Sequence, residues 1–303
     1  MISFDLKTIP SLKGRIAVVT GANAGIGYET ALALAKKDVE VILACRNLDK
    51  AEAAKRAILG SCPSANISAM HIDLSGLASV RDFARQFTDR NDRLDLLINN
   101  AGIMVPPYQL TADGFESQIA TNYLGHFLLT GLLLNTLEKT KGSRVVTLSS
   151  IAHKRVDINF DDLHFKNGYN AVKAYGQSKL ACLLFAYELQ RRLEKNNYQV
   201  ISLASHPGVA TTELSKHMSK FMKFLMRAFA PFLFQDPKRG AEPTIRAALD
   251  QHVKGGEYFG PGGYREFKGP AVQVDSSERS KDKTLANKLW ETSEELTQIS
   301  YLD

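Results

Sequence analysis

Short runs of β-branched and other apolar residues recur along this 303-residue chain, separated by longer amphipathic stretches. The runs are Ile16–Val19, Val39–Leu43, Leu94–Ile98, Arg144–Leu148 and Val200–Leu203. Each is short enough for a strand and nearly apolar throughout, as strands buried on both faces of a parallel sheet must be. Between them, Glu29–Lys37, Ala51–Leu59 and Val80–Phe87 carry helical periodicity. The alternation predicts βαβ units and an α/β fold with a doubly wound parallel sheet. Residues 1–14 read as a lead-in strap. Residues 265–303 read as a polar C-terminal extension, with a charge-rich stretch from Asp275 to Lys283 and a helical finish around Trp290. No boundary interrupts the pattern, so 1–303 is expected to form a single domain with its core at 14–260.

Composition narrows the picture. Hydrophobic residues make up 44% of the chain, enough for a large core. The 38 Lys and Arg exceed the 32 Asp and Glu, but the excess is spread out and forms no basic block. It suits a phosphorylated ligand or an anionic surface and gives no call for nucleic acid. The opening residues lack an apolar signal region, and no run of 18 apolar residues follows, so neither a leader nor a transmembrane segment is expected. Cys45, Cys62 and Cys182 are scattered without a CxxC, which argues against a disulfide scaffold and predicts a cytoplasmic protein. None of the seven histidines forms HExxH or another close ligand pair, so no metal site is expected.

The first strand runs straight into Thr20-Gly21-Ala22-Asn23-Ala24-Gly25-Ile26-Gly27, and a helical pattern follows. Gly21 permits a sharp turn, Gly25 lets the backbone approach a pyrophosphate, and Gly27 allows close helix–sheet packing. The helix N-terminus offers free N–H groups to the anion. A glycine triplet alone is also a tight strand-to-helix turn, but strand, glycines and helix stand here in the order a dinucleotide site needs. Further on, Tyr175 and Lys179 are four apart within Val172–Leu193, which reads as one long helix, so they share a face. A free phenol titrates near 10 and moves protons poorly at neutral pH, whereas a neighbouring ammonium favours its phenolate. By itself such a pair is also an ordinary helix-surface contact.

The Thr-preceded G-x-x-x-G-x-G loop, Asp73-Leu74, Asn99-Asn100-Ala101-Gly102, Tyr175-x-x-x-Lys179 and His206-Pro207-Gly208 together resemble the short-chain dehydrogenases/reductases. The resemblance covers roughly residues 14 to 260 and implies a Rossmann-type fold with a nicotinamide cofactor. It places Gly21, Asn23, Gly25, Ile26 and Gly27 on the pyrophosphate, Asp73 and Leu74 on the adenine, and Asn100, Ala101 and Gly102 along the adenosine. It places Pro207, Gly208, Val209, Ala210 and Thr212 at the nicotinamide carboxamide. It makes Tyr175 the proton-transfer group and Lys179 its partner, which also bonds the nicotinamide ribose. Ser150, preferred over Ser149, would bond the substrate oxygen, and Asn122 would hold a relay water. No acid lies between Val41 and Leu48 to bond a ribose 2′-OH, while Arg46, followed by Asn47, would bind a 2′-phosphate; the expectation is NADP(H). Arg46 read alone is also a solvated loop charge.

The 25-residue interval between Ser150 and Tyr175, with Ile158-Asn-Phe-Asp-Asp-Leu163, Ala44-Cys-Arg-Asn47 and Asn122-Tyr-Leu-Gly-His-Phe127, resembles the retinol dehydrogenase-like and protochlorophyllide reductase-like branch. No counterpart of the N-terminal anchor of many retinol dehydrogenases is expected here, so the likeness lies in the scaffold and a retinoid substrate is not expected from it. Residues 214–235 form a candidate substrate lid, rich in Met and Phe and suited to a bulky apolar carbonyl or alcohol. Core packing and peripheral membrane contact are the other readings of that stretch. The apolar run Phe127–Leu134 reads as a buried helix of the kind that builds dimers in this family, which makes a homodimer an expectation. A nucleotide sensor that binds NADPH without turnover is the alternative to an enzyme.

Overall fold

The computed structural model describes residues 4–209 and 235–302. Its eight strands are β1 (Ile16–Thr20), β2 (Glu40–Cys45), β3 (Ile67–His71), β4 (Leu96–Asn99), β5 (Arg144–Leu148), β6 (Ile201–Ser205), β7 (Tyr258–Pro261) and β8 (Ala271–Gln273). They lie side by side in the order β3-β2-β1-β4-β5-β6-β7-β8. All neighbours are parallel except the final β7–β8 pair. The order reverses between β1 and β4, and ligands of open α/β sheets bind outside the carboxyl ends at such a switch point.

The apolar runs behave as strands with two covered faces. Along β1, Ala17 and Val19 point into one core layer and Val18 into the other. The first layer holds helices α1 (Gly25–Ala35), α2 (Leu48–Ser61) and, after the segment outside the described residues, α7 (Pro237–Leu249). Asp236 caps α7 by accepting from Arg239 N at 2.8 Å, with Pro237 in its first turn. The second layer holds α3 (Leu77–Thr88), α5 (Gly125–Glu138) and α6 (Ala171–Lys195). A short turn, α4 (Ser117–Ile119), leads through one π-helical turn (Ala120–Leu124) into α5.

Several sequence readings shift: β1 runs on to Thr20, β4 occupies Leu96–Asn99, and β2 and β6 begin at Glu40 and Ile201. β2 and β6 continue past Leu43 and Leu203, because Ala44, Cys45, Ala204 and Ser205 keep the ladder despite their small side chains. The C-terminal stretch is also more than a polar extension. Glu278–Lys281 (α8) and Lys283–Thr297 (α9) bring Leu285, Leu289 and Trp290 onto α5 and α6. Trp290 is 1% exposed, meets the rings of Phe127 and Phe185, and carries the Arg192 guanidinium 4.6 Å over its own ring. Tyr301 donates to the Phe127 carbonyl at 3.1 Å and lies so close to Gly131 that a Cβ there would stand 2.5 Å from its ring. Charged residues on the outer face of α9 hide this apolar face from a composition count. Trp290→Ala should therefore cost roughly 3–5 kcal/mol in urea unfolding; a loss below about 1 kcal/mol would show that α9 is dispensable to the core.

Candidate active site

β1 ends at Thr20, and the chain turns through Gly21 (φ 66°) and Gly25 (φ 57°), both in the left-handed region that strains any other residue. At Gly27 a Cβ would sit 2.5 Å from both the Gly21 carbonyl oxygen and the Asn100 amide nitrogen, so only hydrogen fits there. The N-cap of α1 is Ala24; no side chain caps the helix and no acid stands in its first turn. Its leading N–H groups are thus left for an outside acceptor.

Thr20 fastens this turn to its neighbours. Its hydroxyl accepts from the backbone N–H groups of Asn100 and Ala101, each at 2.9 Å, and Asn100 donates its side-chain amide to the Thr20 carbonyl at 2.6 Å. The Thr20 hydroxyl also meets His126 Nε2 at 2.9 Å, while His126 Nδ1 meets the Asn122 carbonyl at 2.9 Å. A carbonyl only accepts, so the ring proton belongs on Nδ1 and Thr20 donates to Nε2. A neutral His126 thereby ties β1 to the π-turn that carries Asn122.

Burial pushes the His126 imidazole down to about 4, against the pull of its bond to Asn122. Burial likewise pushes His153 down to about 4, against its bond to the Ser150 carbonyl. Unfolded, both titrate near 6.5, so between pH 6.5 and 4 the unfolded chain holds more protons than the folded one. Their contribution to stability is complete above pH 6.5 and is lost as pH falls towards 4. Thermal unfolding should show a melting temperature that drops across this window, with about two extra protons taken up on unfolding near pH 5. A flat profile there would contradict the neutral assignments.

At the other end of the site, α6 delivers Tyr175 and Lys179. The Lys179 ammonium stands 6.0 Å from the Tyr175 ring centre. Lys179 is only 5% exposed and donates to the Leu148 carbonyl at 3.0 Å, which leaves two of its three donors for other partners. The hydroxyl of Ser149 is spent inside the protein on the Lys179 carbonyl at 2.7 Å. That of Ser150 accepts from Ala152 N at 3.2 Å and keeps its own proton to give. Asn122 Oδ1 accepts from Ile103 N at 2.8 Å, and its Nδ2 donates to the Ile103 carbonyl at 3.0 Å and to the Ser178 hydroxyl at 2.8 Å. It therefore pins the backbone just after Gly102. A Cβ on Gly102 would lie 3.1 Å from Asn122 Oδ1 and 3.5 Å from Lys179 Nζ, so those two groups flank one spot.

These elements enclose a cleft of about 390 Å³ across the switch point. Its walls include Gly21, Asn23, Gly25, Ile26, Gly27, Arg46, Asn47, Asp73, Leu74, Asn100, Ala101, Gly102, Tyr175, Lys179 and Pro207. Asn122, Ser150, Gly208 and Val209 are not among the residues that line it. Ala210, Thr212 and nearly all of the 214–235 lid candidate lie outside the described residues.

The cleft also holds residues that the sequence reading passed over. Lys50 lines it beside Arg46, because Asn47 caps α2 by accepting from Lys50 N at 2.9 Å and so sets Lys50 in the first turn. A cap followed three residues later by a base was the available signal. Ile103 and Met104 add an apolar wall following Gly102. Ser149 lines the cleft although its hydroxyl points inward to Lys179. Asp73 engages Ser75 through Oδ1, and among the described residues its Oδ2 is left for another donor.

The family model described as short chain dehydrogenase matches residues 15–223. Retinol dehydrogenase 13 of Mus musculus is 42% identical over 300 residues, covering 97% of this chain and 86% of the relative. The chloroplastic short-chain dehydrogenase TIC 32 B of Brassica napus is 40% identical over 287 residues, covering 91% and 87%. Among solved structures, an uncharacterized protein from Mycobacterium paratuberculosis superposes with a TM-score of 0.82 at 41% identity, covering 99% of both chains.

Proposed function

The chain belongs to the short-chain dehydrogenase/reductase family, among its retinol dehydrogenase-like members, and from that premise we propose that it is an NADP(H)-dependent oxidoreductase acting on a carbonyl or alcohol of a bulky apolar small molecule. One observation carries the reading: a single cleft has the Tyr175–Lys179 pair at one end and the bases Arg46 and Lys50 at the other. The uncapped start of α1 between them suits a pyrophosphate, so a dinucleotide fits the donor set. When bound, the nicotinamide would supply or accept the hydride.

The chain's own residues do the rest. Arg46 and Lys50 hold the 2′-phosphate through charge-assisted hydrogen bonds. Oδ2 of Asp73 would take the adenine amino group, and Pro207 would border the carboxamide. Tyr175 gives its proton to the substrate oxygen as charge develops there, and Ser150 donates a second hydrogen bond to the same oxygen. Lys179 favours the phenolate that remains and turns its spare donors to the ribose. Among the described residues Asn122 Oδ1 accepts only from Ile103 N, and with Lys179 Nζ it flanks Gly102, which suits a relay water between the two. Ile103 and Met104 support an apolar substrate.

The Phe127–Leu134 run behind the homodimer expectation is covered by α9 and Tyr301, and in this reading it belongs to the chain's own core. Three free thiols support a cytosolic location; among the described residues, no helix is long and apolar enough to cross a membrane.

The absorbance of the reduced nicotinamide tests the proposal: it should fall when NADPH is offered bulky apolar ketones, aldehydes and quinones, and rise when NADP⁺ is offered the matching alcohols. Turnover is the expected result. NADPH binding without turnover in either direction across the panel would favour the sensor reading instead.

A further inference from the structure

Behind the nicotinamide end of the cleft lies a cluster of charged and polar groups that the proposed mechanism does not use. Glu266 stands at its centre, on the loop between β7 and β8. Its Oε1 meets Lys154 Nζ at 2.6 Å, and its Oε2 meets His206 Nε2 at 3.0 Å. Lys154 belongs to the 3-10 turn Ile151–Arg155 that begins directly after Ser150. His206 is fully buried at the end of β6, immediately before Pro207. Its Nδ1 accepts from Gly208 N at 3.2 Å, which leaves the ring proton on Nε2, 3.0 Å from the carboxylate but outside hydrogen-bond geometry.

The loop that delivers Glu266 is held in an unfavourable shape. Arg265 (φ 50°) and Glu266 (φ 59°) both occupy the left-handed region, a conformation that persists only where surrounding contacts over-determine it. Those contacts run to the same turn, since Val209 N donates to the Phe267 carbonyl at 2.9 Å. Gly208 (φ 65°) passes so near that a Cβ would lie 2.4 Å from that carbonyl oxygen. Although burial opposes it, the contacts with His206 and Lys154 hold the Glu266 carboxyl down at about 2, so the carboxylate is charged at any working pH, while burial lowers His206 itself.

We propose that Glu266 is a positioning residue: its carboxylate joins the Ser150 turn at the end of β5 to the Pro207–Val209 turn at the end of β6 and fixes the spacing of the two. The role rests on the oxidoreductase reading for its chemical meaning, but the mechanical coupling stands apart from it. Misplacing a reacting group by about 1 Å costs up to 10²-fold in rate, so a bridge between two such turns matters although it touches no ligand.

The test uses the full-length chain and its Glu266→Ala, Glu266→Gln and Lys154→Met variants. Without ligand, amide exchange of Glu266→Ala should quicken about tenfold at both Ala152 and Gly208, while the Gly21–Gly27 turn keeps its protection. Glu266→Gln retains one acceptor and should hold most of that protection at Gly208. Lys154→Met should loosen Ala152 but leave Gly208 protected by the His206–Glu266 contact, and it keeps the test open if the alanine variant fails to fold. Loosening confined to the 262–269 loop, or unchanged exchange at Ala152 and Gly208, would overturn the proposal.

With a turned-over substrate, kcat of Glu266→Ala should fall about tenfold while the Kd for NADPH moves less than about threefold, with Glu266→Gln between it and the wild type. An unaltered kcat per folded molecule would also overturn it. If the wild type turns nothing over, the oxidoreductase reading fails, and the exchange pattern alone decides the coupling.

Discussion

Tyr175→Phe should lose about 10³-fold or more in kcat while binding NADPH within about threefold of the wild type. The ring stays, so the packing of α6 and the wall of the cleft stay with it; only the hydroxyl is removed. Among the described residues that hydroxyl makes no hydrogen bond within the protein, so nothing in the fold is left unpaired by its loss. The other hydroxyls nearby cannot replace it. Ser149 is committed to the Lys179 carbonyl, and Ser150 already accepts from Ala152 N and stands on another element than Lys179. Lys179 is buried, with its ammonium 6.0 Å from the Tyr175 ring. Steady-state kinetics with fluorescence titration of NADPH separates the two effects. Full activity in the variant would refute the assignment, and a parallel loss of NADPH binding would show that the ring had moved.

Arg46→Ala should lower the ratio of kcat/KM for NADPH to that for NADH by about 10- to 100-fold, the worth of one or two charge-assisted hydrogen bonds. The loss should fall on NADPH alone, because without a 2′-phosphate the guanidinium has nothing to bind. Arg46 and Lys50 are exposed, line the cleft, and form no ion pair among the described residues, so neither is occupied elsewhere. Lys50→Ala should act in the same direction and more weakly, since an ammonium lacks the forked geometry of a guanidinium. The double variant should approach indifference between the two cofactors. An Arg46→Ala enzyme that keeps the wild-type ratio would remove the basis for NADP(H) preference.

The parts of this protein legible in the sequence are those whose physics is local. A strand, a glycine turn and a helix follow one another within a dozen residues, so Gly21, Gly25 and Gly27 declare themselves. A four-residue spacing inside one helix places Tyr175 and Lys179 together whatever the rest of the chain does. β5 is bounded by Arg144 and Leu148 in both the apolar pattern and the structure, because bulky apolar residues reach both of its ends. Where small residues finish a strand, as Ala44-Cys45 and Ala204-Ser205 do, the pattern fades although the ladder continues.

The residues missed are those whose partners lie far along the chain. Trp290 looks like a lone aromatic in a charged tail until Phe127 and Phe185 come to meet it. His126 reads as packing until Thr20, 106 positions away, takes its second nitrogen. Glu266 has no local signature, since both of its partners belong to other elements. Asn122 is an intermediate case. Its motif marks it, but only the folded chain reveals that both ends of its amide hold Ile103.

In the proposed reaction this cleft passes a hydride between the nicotinamide and a carbonyl carbon, with a proton delivered by Tyr175. Mass spectrometry of the product formed from 4-deuterated NADPH and an apolar ketone or aldehyde tests it most directly. One deuterium is expected on the former carbonyl carbon when the label sits on the transferred face, and none on that carbon when the label is in the solvent instead. Product without cofactor-derived deuterium from either labelled face, or carbon-bound deuterium taken from solvent, would contradict it.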